Sequence, residues 1–257
     1  LAPWILRHLP PHRIYVEPFG GGASVLLQKP RSYAEVYNDL DGEVVNLFSM
    51  ARERGEELAQ SVELTPFARA EFAQSYEPDG DPLEQARRTL IRSFMGFSSA
   101  GASGQSTGFR ANSNRSGTTP AHDWMNYPDC LRMVIQRLRG VVIENRDAVQ
   151  VMLSHDCEEA VHYVDPPYVQ STRQLRTRAA AYKHEMDDQQ HRDLAAVLAG
   201  LRGSVVVSGY RCEMYDDLFR GWQRIDAASH ADGARDRVES LWLSRCPAAG
   251  LFDSVAA

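Results

Sequence analysis

Two hydrophobic periods take turns along this chain. Residues 13–19, RIYVEPF, are rich in β-formers and run into a glycine triplet, which predicts a strand. GASVLLQ (22–28) suits a helix packed back on that strand, and SYAEVYNDL (32–40) alternates as a second strand. In DGEVVNLFSMARER (41–54), Val44, Val45, Leu47 and Phe48 share one helical face. Strand, glycine turn, helix, strand, helix is the opening of a doubly wound α/β sheet.

The pattern then changes. TPFARAEFAQSY (65–76) and DPLEQARRTLIRSFMGF (81–97) each open with a capping residue followed by proline, and Asp81 with Glu84 resembles a capping box. Residues 98–120 are crowded with Gly, Ser, Thr and Asn and predict a mobile loop or irregular hairpin, followed by a helix near Pro128–Arg139. Strand and helix alternate again from VVIEN (141–145) through DAVQVMLS, AVHYVD (160–165), DDQQHRDLAAVLAG (187–200) and SVVVSG (204–209) to a late strand, ESLWLS (239–244). The expected fold is therefore a doubly wound, mostly parallel α/β domain formed by 1–54 and 139–257. A helical insertion at 55–138 divides it, and such insertions often carry recognition.

Composition narrows the class. At 257 residues, 43% hydrophobic and 24% charged, the chain has ample material for a core. No apolar run is long enough to span a bilayer, and no basic-then-apolar leader precedes the first strand, so a cytoplasmic setting is expected. Cys130, Cys157, Cys212 and Cys246 form no CxxC pair, which speaks against a zinc site or a disulfide framework. His184-Glu185 begins like a zinc-protease motif, but position 188 is Asp188. A net charge of −6 taken alone disfavours nucleic acid as a partner. Its distribution is more permissive, because arginines cluster at Arg87, Arg88 and Arg92, at Arg110 and Arg115, and at Arg173, Arg176 and Arg178 with Lys183. Most such clusters are solvated faces.

Two stretches carry chemistry. EPFGGGAS lets backbone amides approach a ligand closely, yet Val25 stands where a dinucleotide fingerprint needs its third glycine. Asp39 ends the next strand, where α/β folds bind a ribose diol. Glu17 and Pro18 beside the turn favour a non-phosphorylated nucleoside, since a carboxylate there would repel a pyrophosphate. The second stretch, Asp165-Pro166-Pro167-Tyr168, falls at the carboxyl end of a predicted parallel strand, where such sheets bind ligands. Proline offers a carbonyl but no donor, so a carboxylate and a proline carbonyl can accept both hydrogens of one amino group, with Tyr168 as a flat stacking face. Taken by itself, Asp-Pro-Pro would be a stiff turn with an exposed acid.

Strand-EPFGGG, strand-YNDLD and strand-DPPY, in that order and with an insertion before DPPY, resemble the Dam-type family of DNA adenine methyltransferases over essentially the whole chain. The resemblance implies S-adenosylmethionine as cofactor, held by Glu17, Pro18, Phe19, Gly20, Gly21 and Gly22, with Asp39 and Leu40 at the ribose, Asp147 and Ala148 near the adenine, and Asp165 at the reacting end. It implies a catalytic set of Asp165, Pro166, Pro167 and Tyr168 and no metal. Double-stranded DNA is the implied partner, read by the insertion through Arg110, Asn112 and Arg115 and clamped at its phosphates by Arg173, Arg176, Arg178 and Lys183. The family's Pro-Gly-Gly-Lys element would lie ahead of Leu1. The enzyme is expected to act as a monomer, with or without a cognate restriction endonuclease. Two rival readings stay open: an amino-methyltransferase for cytosine, RNA adenine or glutamine, and a nucleic-acid-binding module with a dead cofactor pocket.

Overall fold

In the computed structural model, which describes residues 1–97, 107–112, 117–169, 172, 183–231 and 235–244, the predicted strands form where the β-rich runs lie. The elements in chain order are α1 (Ala2–Leu6), β1 (Ile14–Glu17), α2 (Ser24–Gln28), β2 (Ala34–Asn38), α3 (Gly42–Glu53), α4 (Gly55–Glu63), α5 (Arg69–Gln74), α6 (Pro82–Met95), α7 (Pro120–Met125), α8 (Tyr127–Arg137), β3 (Val141–Glu144), α9 (Ala148–His155), β4 (Ala160–Val164), α10 (Asp188–Gly200), β5 (Ser204–Tyr210), α11 (Glu213–Leu218), β6 (Gln223–Ala231) and β7 (Arg235–Leu243). The sheet has seven strands in the order β3-β2-β1-β4-β5-β7-β6. β2, β1, β4 and β5 run parallel, and β7 is antiparallel to both β5 and β6. The expected mostly parallel α/β fold is the one observed.

The chain divides into two compact units, one of Leu1–Asn38, Arg146–Arg173 and Met186–Ala257, the other of Asp39–Asn145 and Gln174–Glu185. In the first, β4 is buried along its whole length between two parallel neighbours, which is why AVHYV reads as one apolar run rather than an alternation. One face of that sheet is hydrocarbon: Val164, Val205, Val207 and Trp242 pack against Leu194 and Leu198 of α10 and Tyr215 and Phe219 of α11. Val16 and Val36 continue the same face under Val151 of α9. The opposite face is polar near the carboxyl ends of the strands. By register and alternation it carries Tyr15, Glu17, Tyr163, Asp165, Ser208, Tyr210 and Glu239.

The second unit is built of helices α3 to α8 with β3. α3 starts where the Asp41 carboxylate accepts the Glu43 N–H at 3.0 Å, and α6 where Asp81 accepts that of Leu83 at 3.1 Å. Several expectations fail here. The helix expected from Thr65 begins only at Arg69, because Thr65 is not a cap. Its hydroxyl closes the end of α4 on the Ser61 carbonyl at 2.7 Å, and its own carbonyl accepts the Trp124 indole N–H at 2.8 Å. α4 itself was not foreseen; it hides Leu58, Ala59 and Val62 on a face too short to stand out. Glu84 does not complete a capping box but holds the Arg87 and Arg88 guanidinium groups.

The arginines at 87, 88 and 92 are not a solvated face either. Arg88 and Arg92 are 7% and 3% exposed. Arg88 pairs with Glu84 and Asp79, and Arg92 with Glu43 at 2.6 Å and the Ser75 carbonyl. Buried cations stay charged only with such partners, so this cluster is structural. Among the described residues no helix is long and apolar enough to cross a membrane.

Candidate active site

The glycine turn after β1 is shaped by the strand beside it. The Tyr37 ring of β2 lies so close to Gly20 that an added Cβ would sit 2.1 Å from it, which only glycine tolerates. Gly21 takes a φ of +47°, and its carbonyl accepts the Tyr37 hydroxyl at 2.8 Å. Gly22 faces open space. Gly20 N–H donates to the Asn38 carbonyl at 2.8 Å, and the Ala23 N–H returns to Gly20 at 2.7 Å, closing the turn. Phe19 is half-buried against the hydrocarbon face.

Glu17 does not lie where charge could act on a ligand. It is 2% exposed, and its Oε2 accepts the Tyr15 hydroxyl at 2.7 Å and the Leu26 N–H of α2 at 3.0 Å. Burial pushes its carboxyl up to about 8, against the opposing pull of those two donors. The expectation that its charge faces and repels a pyrophosphate is therefore corrected: the carboxyl is turned into the join of β1 and α2, away from solvent. The same geometry makes it a fastener between β1 and α2.

Asp39 follows the last residue of β2, and its Oδ1 accepts the Asp41 N–H at 2.8 Å. Leu40 is 53% exposed. Asp147 caps α9 by accepting the Gln150 N–H at 3.1 Å and remains exposed, with Ala148 opening the helix.

At the end of β4 the acid caps no described helix. Asp165 Oδ1 is shielded from solvent and has no hydrogen-bond partner among the described residues. Burial raises its carboxyl to about 6; the Ser208 hydroxyl bonded to it opposes the rise and the negative charge of Glu239 adds to it. Ser208 is held in turn by the Tyr163 hydroxyl at 3.0 Å. Pro166 is buried beside it, and Pro167 and Tyr168 are partly exposed. The Tyr168 ring meets that of Tyr210 edge-on, with centroids 4.6 Å apart. An aspartate held rigid beside a proline, with one buried oxygen unused, costs stability unless something donates to it. That oxygen can accept a hydrogen bond from a ligand's donor group.

Ser208, Tyr210 and Glu239 were missed in the sequence. Their signal was there in part: SVVVSG and ESLWLS were read as strands, but only the register Tyr210↔Glu239 and the shared face bring them to Asp165. Of the residues expected to meet DNA, Arg110 has its guanidinium tied to the Phe94 carbonyl at 2.9 Å, over the Phe94 ring. Its backbone joins a short antiparallel bridge, Gly96↔Phe109, at the base of the expected hairpin. Asn112 is exposed. Lys183 is paired with Asp41 at 2.8 Å. Arg115, Arg173, Arg176 and Arg178 lie outside the described residues.

The model of one protein family, the D12 class N6 adenine-specific DNA methyltransferases, matches residues 1–230. No curated protein matches the chain.

Proposed function

The chain belongs to the D12 class of N6 adenine-specific DNA methyltransferases, and we propose that it carries out this methylation with S-adenosylmethionine as donor and with Asp165 and Pro166 gripping the target amine. The observation that carries the proposal is the buried Oδ1 of Asp165 at the carboxyl end of β4, which has no partner among the described residues. S-adenosylmethionine supplies an electrophilic methyl group on a cationic sulfur. The residues after the strands suit such a ligand: a glycine turn open at Gly21 and Gly22, a half-buried Phe19, and acids rather than phosphate-binding cations at Asp39 and Asp147. Asp39 with Leu40 is assigned to the ribose, and Asp147 with Ala148 to the adenine end.

Adenine's amino lone pair is delocalised into the ring, so the nitrogen is a poor nucleophile. Asp165 Oδ1 accepts one amino hydrogen and the Pro166 carbonyl the other, which favours a pyramidal nitrogen with a localised lone pair. The Asp165 carboxylate then stabilises the positive charge that develops on that nitrogen, in a site already oriented for it. Pro167 keeps the strand end rigid and withholds a competing donor. Because the amino group of a paired adenine is blocked, the base must leave the duplex at a cost of a few kcal/mol. Stacking on Tyr168 returns about 1–3 kcal/mol. Reading of the DNA is assigned to the helical unit, through Arg110, Asn112 and Arg115, with Arg173, Arg176 and Arg178 as phosphate contacts.

The test uses methyl-labelled S-adenosylmethionine and duplexes of varied sequence, followed by digestion to nucleosides. Label on the adenine N6 position is the expected result; label on cytosine, or no transfer from this donor, overturns the proposal. Flipping is checked with 2-aminopurine at the target position, whose fluorescence should rise on binding.

A further inference from the structure

Asn38 is 0% exposed and ends β2, one residue before Asp39. Its side-chain amide donates to the Pro18 carbonyl at 2.9 Å and to the Arg146 carbonyl at 3.0 Å. Its Oδ1 accepts the Arg146 N–H at 2.9 Å, and its own carbonyl accepts the Gly20 N–H at 2.8 Å. The amide group thus spends both donors and an acceptor on backbone from two other segments, and all the atoms involved belong to the first unit. Those segments are the glycine turn and the approach to Asp147, and Asn38 itself leads into Asp39. One side chain therefore touches, or is bonded next to, each of the three chain segments assigned to the cofactor.

We propose that Asn38 is the positioning residue of the cofactor site: it touches no reacting atom, but it fixes the spacing of the glycine turn, the strand-end acid and the Asp147 loop. The inference rests on the reading that these segments hold S-adenosylmethionine. No other side chain can substitute simply. An aspartate of the same shape turns both donors into acceptors and sets them against two carbonyls, and alanine leaves a buried N–H and two carbonyls without their partners. A ligand that spans the three segments must then order them itself, and pays for it in affinity rather than in the rate of the chemical step. A purely structural asparagine behaves otherwise. Its loss lowers the folded fraction, and with it the apparent kcat, while the KM of the molecules still folded stays put.

The experiment measures binding of S-adenosylhomocysteine by titration calorimetry, and steady-state kinetics, for the wild-type chain, Asn38→Asp and Asn38→Ala. The expected outcome is a rise of ~10- to 100-fold in both the Kd for S-adenosylhomocysteine and the KM for S-adenosylmethionine, from the size of lost buried hydrogen bonds. The kcat should stay within ~3-fold, the precision at which such effects are separable. Variants that bind within ~2-fold of wild type, or that lose kcat with KM unmoved, overturn the inference. A wild-type chain that fails to bind strikes instead at the cofactor reading, so the two failures are distinct. Should both variants fail to fold, amide exchange on the wild-type chain decides. The Gly20 and Arg146 N–H groups should be protected in the free protein and slowed together when S-adenosylhomocysteine is added. Indifference of either amide to the ligand overturns the assignment.

Discussion

Both units bury charge, and they treat it in opposite ways. In the helical unit, Arg88 and Arg92 are buried and each guanidinium ends on carboxylates or a carbonyl, although Arg92 Nε has no hydrogen-bond partner among the described residues. In the sheet unit, Asp165 Oδ1 meets no hydrogen-bond partner among the described residues, and burial lifts the carboxyl to about 6. A charge that the fold satisfies marks architecture. A charge that the fold leaves wanting marks a place where a substrate completes the bonding. The contrast is the reason for reading the arginine run, the louder signal in the sequence, as structural, and for proposing that a single aspartate carries the chemistry.

The sharpest way to break this contrast is Asp165→Asn. The amide keeps the shape but presents a donor or a neutral acceptor to the amine, so methyl transfer should fall by at least ~1000-fold, as for loss of a preorganised electrostatic group. Binding of S-adenosylhomocysteine should stay close to wild type. Removing a buried, unpaired charge should also raise stability at pH 7.5 by about 1–2 kcal/mol, the raised carboxyl discounted for its partial exposure. Denaturant unfolding of the two chains measures it. An Asp165→Asn chain that is less stable and still active would end the argument.

Arg92→Ala tests the other side. It leaves the buried Ser75 carbonyl unpaired, while Glu43, 37% exposed, can turn to water, and should cost about 1–3 kcal/mol as a buried acceptor left unsatisfied. Thermal unfolding shows this as a lower midpoint, while KM for cofactor should not move. Thus the acid variant should lose activity and gain stability, whereas the arginine variant should lose stability and keep its activity.

The pH profile sharpens the same point within the wild-type chain. Asp165 holds its proton to about 6 when folded and to its ordinary, lower value when unfolded. Its contribution to stability is therefore fully present below the unfolded value and is lost as pH rises through about 6. The reaction needs the opposite state. Single-turnover transfer should drop about tenfold per pH unit below about 6, over a range in which this one group favours the fold more and more. A rate flat from pH 5 to 8 would show that the Asp165 charge is not used.

How much of this could be read beforehand follows from the range of each signal. The parallel strands, the glycine turn and the DPPY end were visible because each is written in consecutive residues. Helices were legible between residues 65 and 139 as well, but their exact ends, and α4, were not, because these are set by tertiary contacts. Thr65 looks like a cap and is a hub, and Glu84 looks like half of a capping box and is an arginine partner. Around Asp165 the neighbours Ser208, Tyr210 and Glu239 come from strands that join the sheet late in the chain, so only register reveals them. Glu17 was found as a residue and misjudged as a charge, since nothing in EPFGGG tells that the Tyr15 hydroxyl and the Leu26 N–H close over it.

Tyr210 offers a smaller effect on the substrate side. Its ring holds that of Tyr168 edge-on, and such a pair is worth about 0.5–1.5 kcal/mol. Tyr210→Leu should therefore raise the KM for DNA by roughly 3- to 10-fold through a looser Tyr168, with less change in cofactor binding. Equal losses for both ligands would mean a general loosening of the sheet end instead.

Lys183 gives the smallest expected effect, and a clean choice between two partners. The sequence pattern groups it with the phosphate-clamping arginines, yet the fold pairs it at 2.8 Å with Asp41, the cap of α3. Its side chain is 42% exposed, so the pair is worth at most about 1 kcal/mol, and Lys183→Met should shift unfolding by no more than that. Salt dependence distinguishes the partners. A lysine that neutralised a phosphate would take about 0.9 from the slope of log affinity against log salt when removed, whereas one committed to Asp41 leaves the slope unchanged. The geometry favours the second outcome, because leaving Asp41 would expose the N-terminus of α3 to the loss of a cation that holds its cap in place. A slope change near 0.9 would instead return Lys183 to the DNA, and would mean that the α3 cap is held by Glu43 N–H alone.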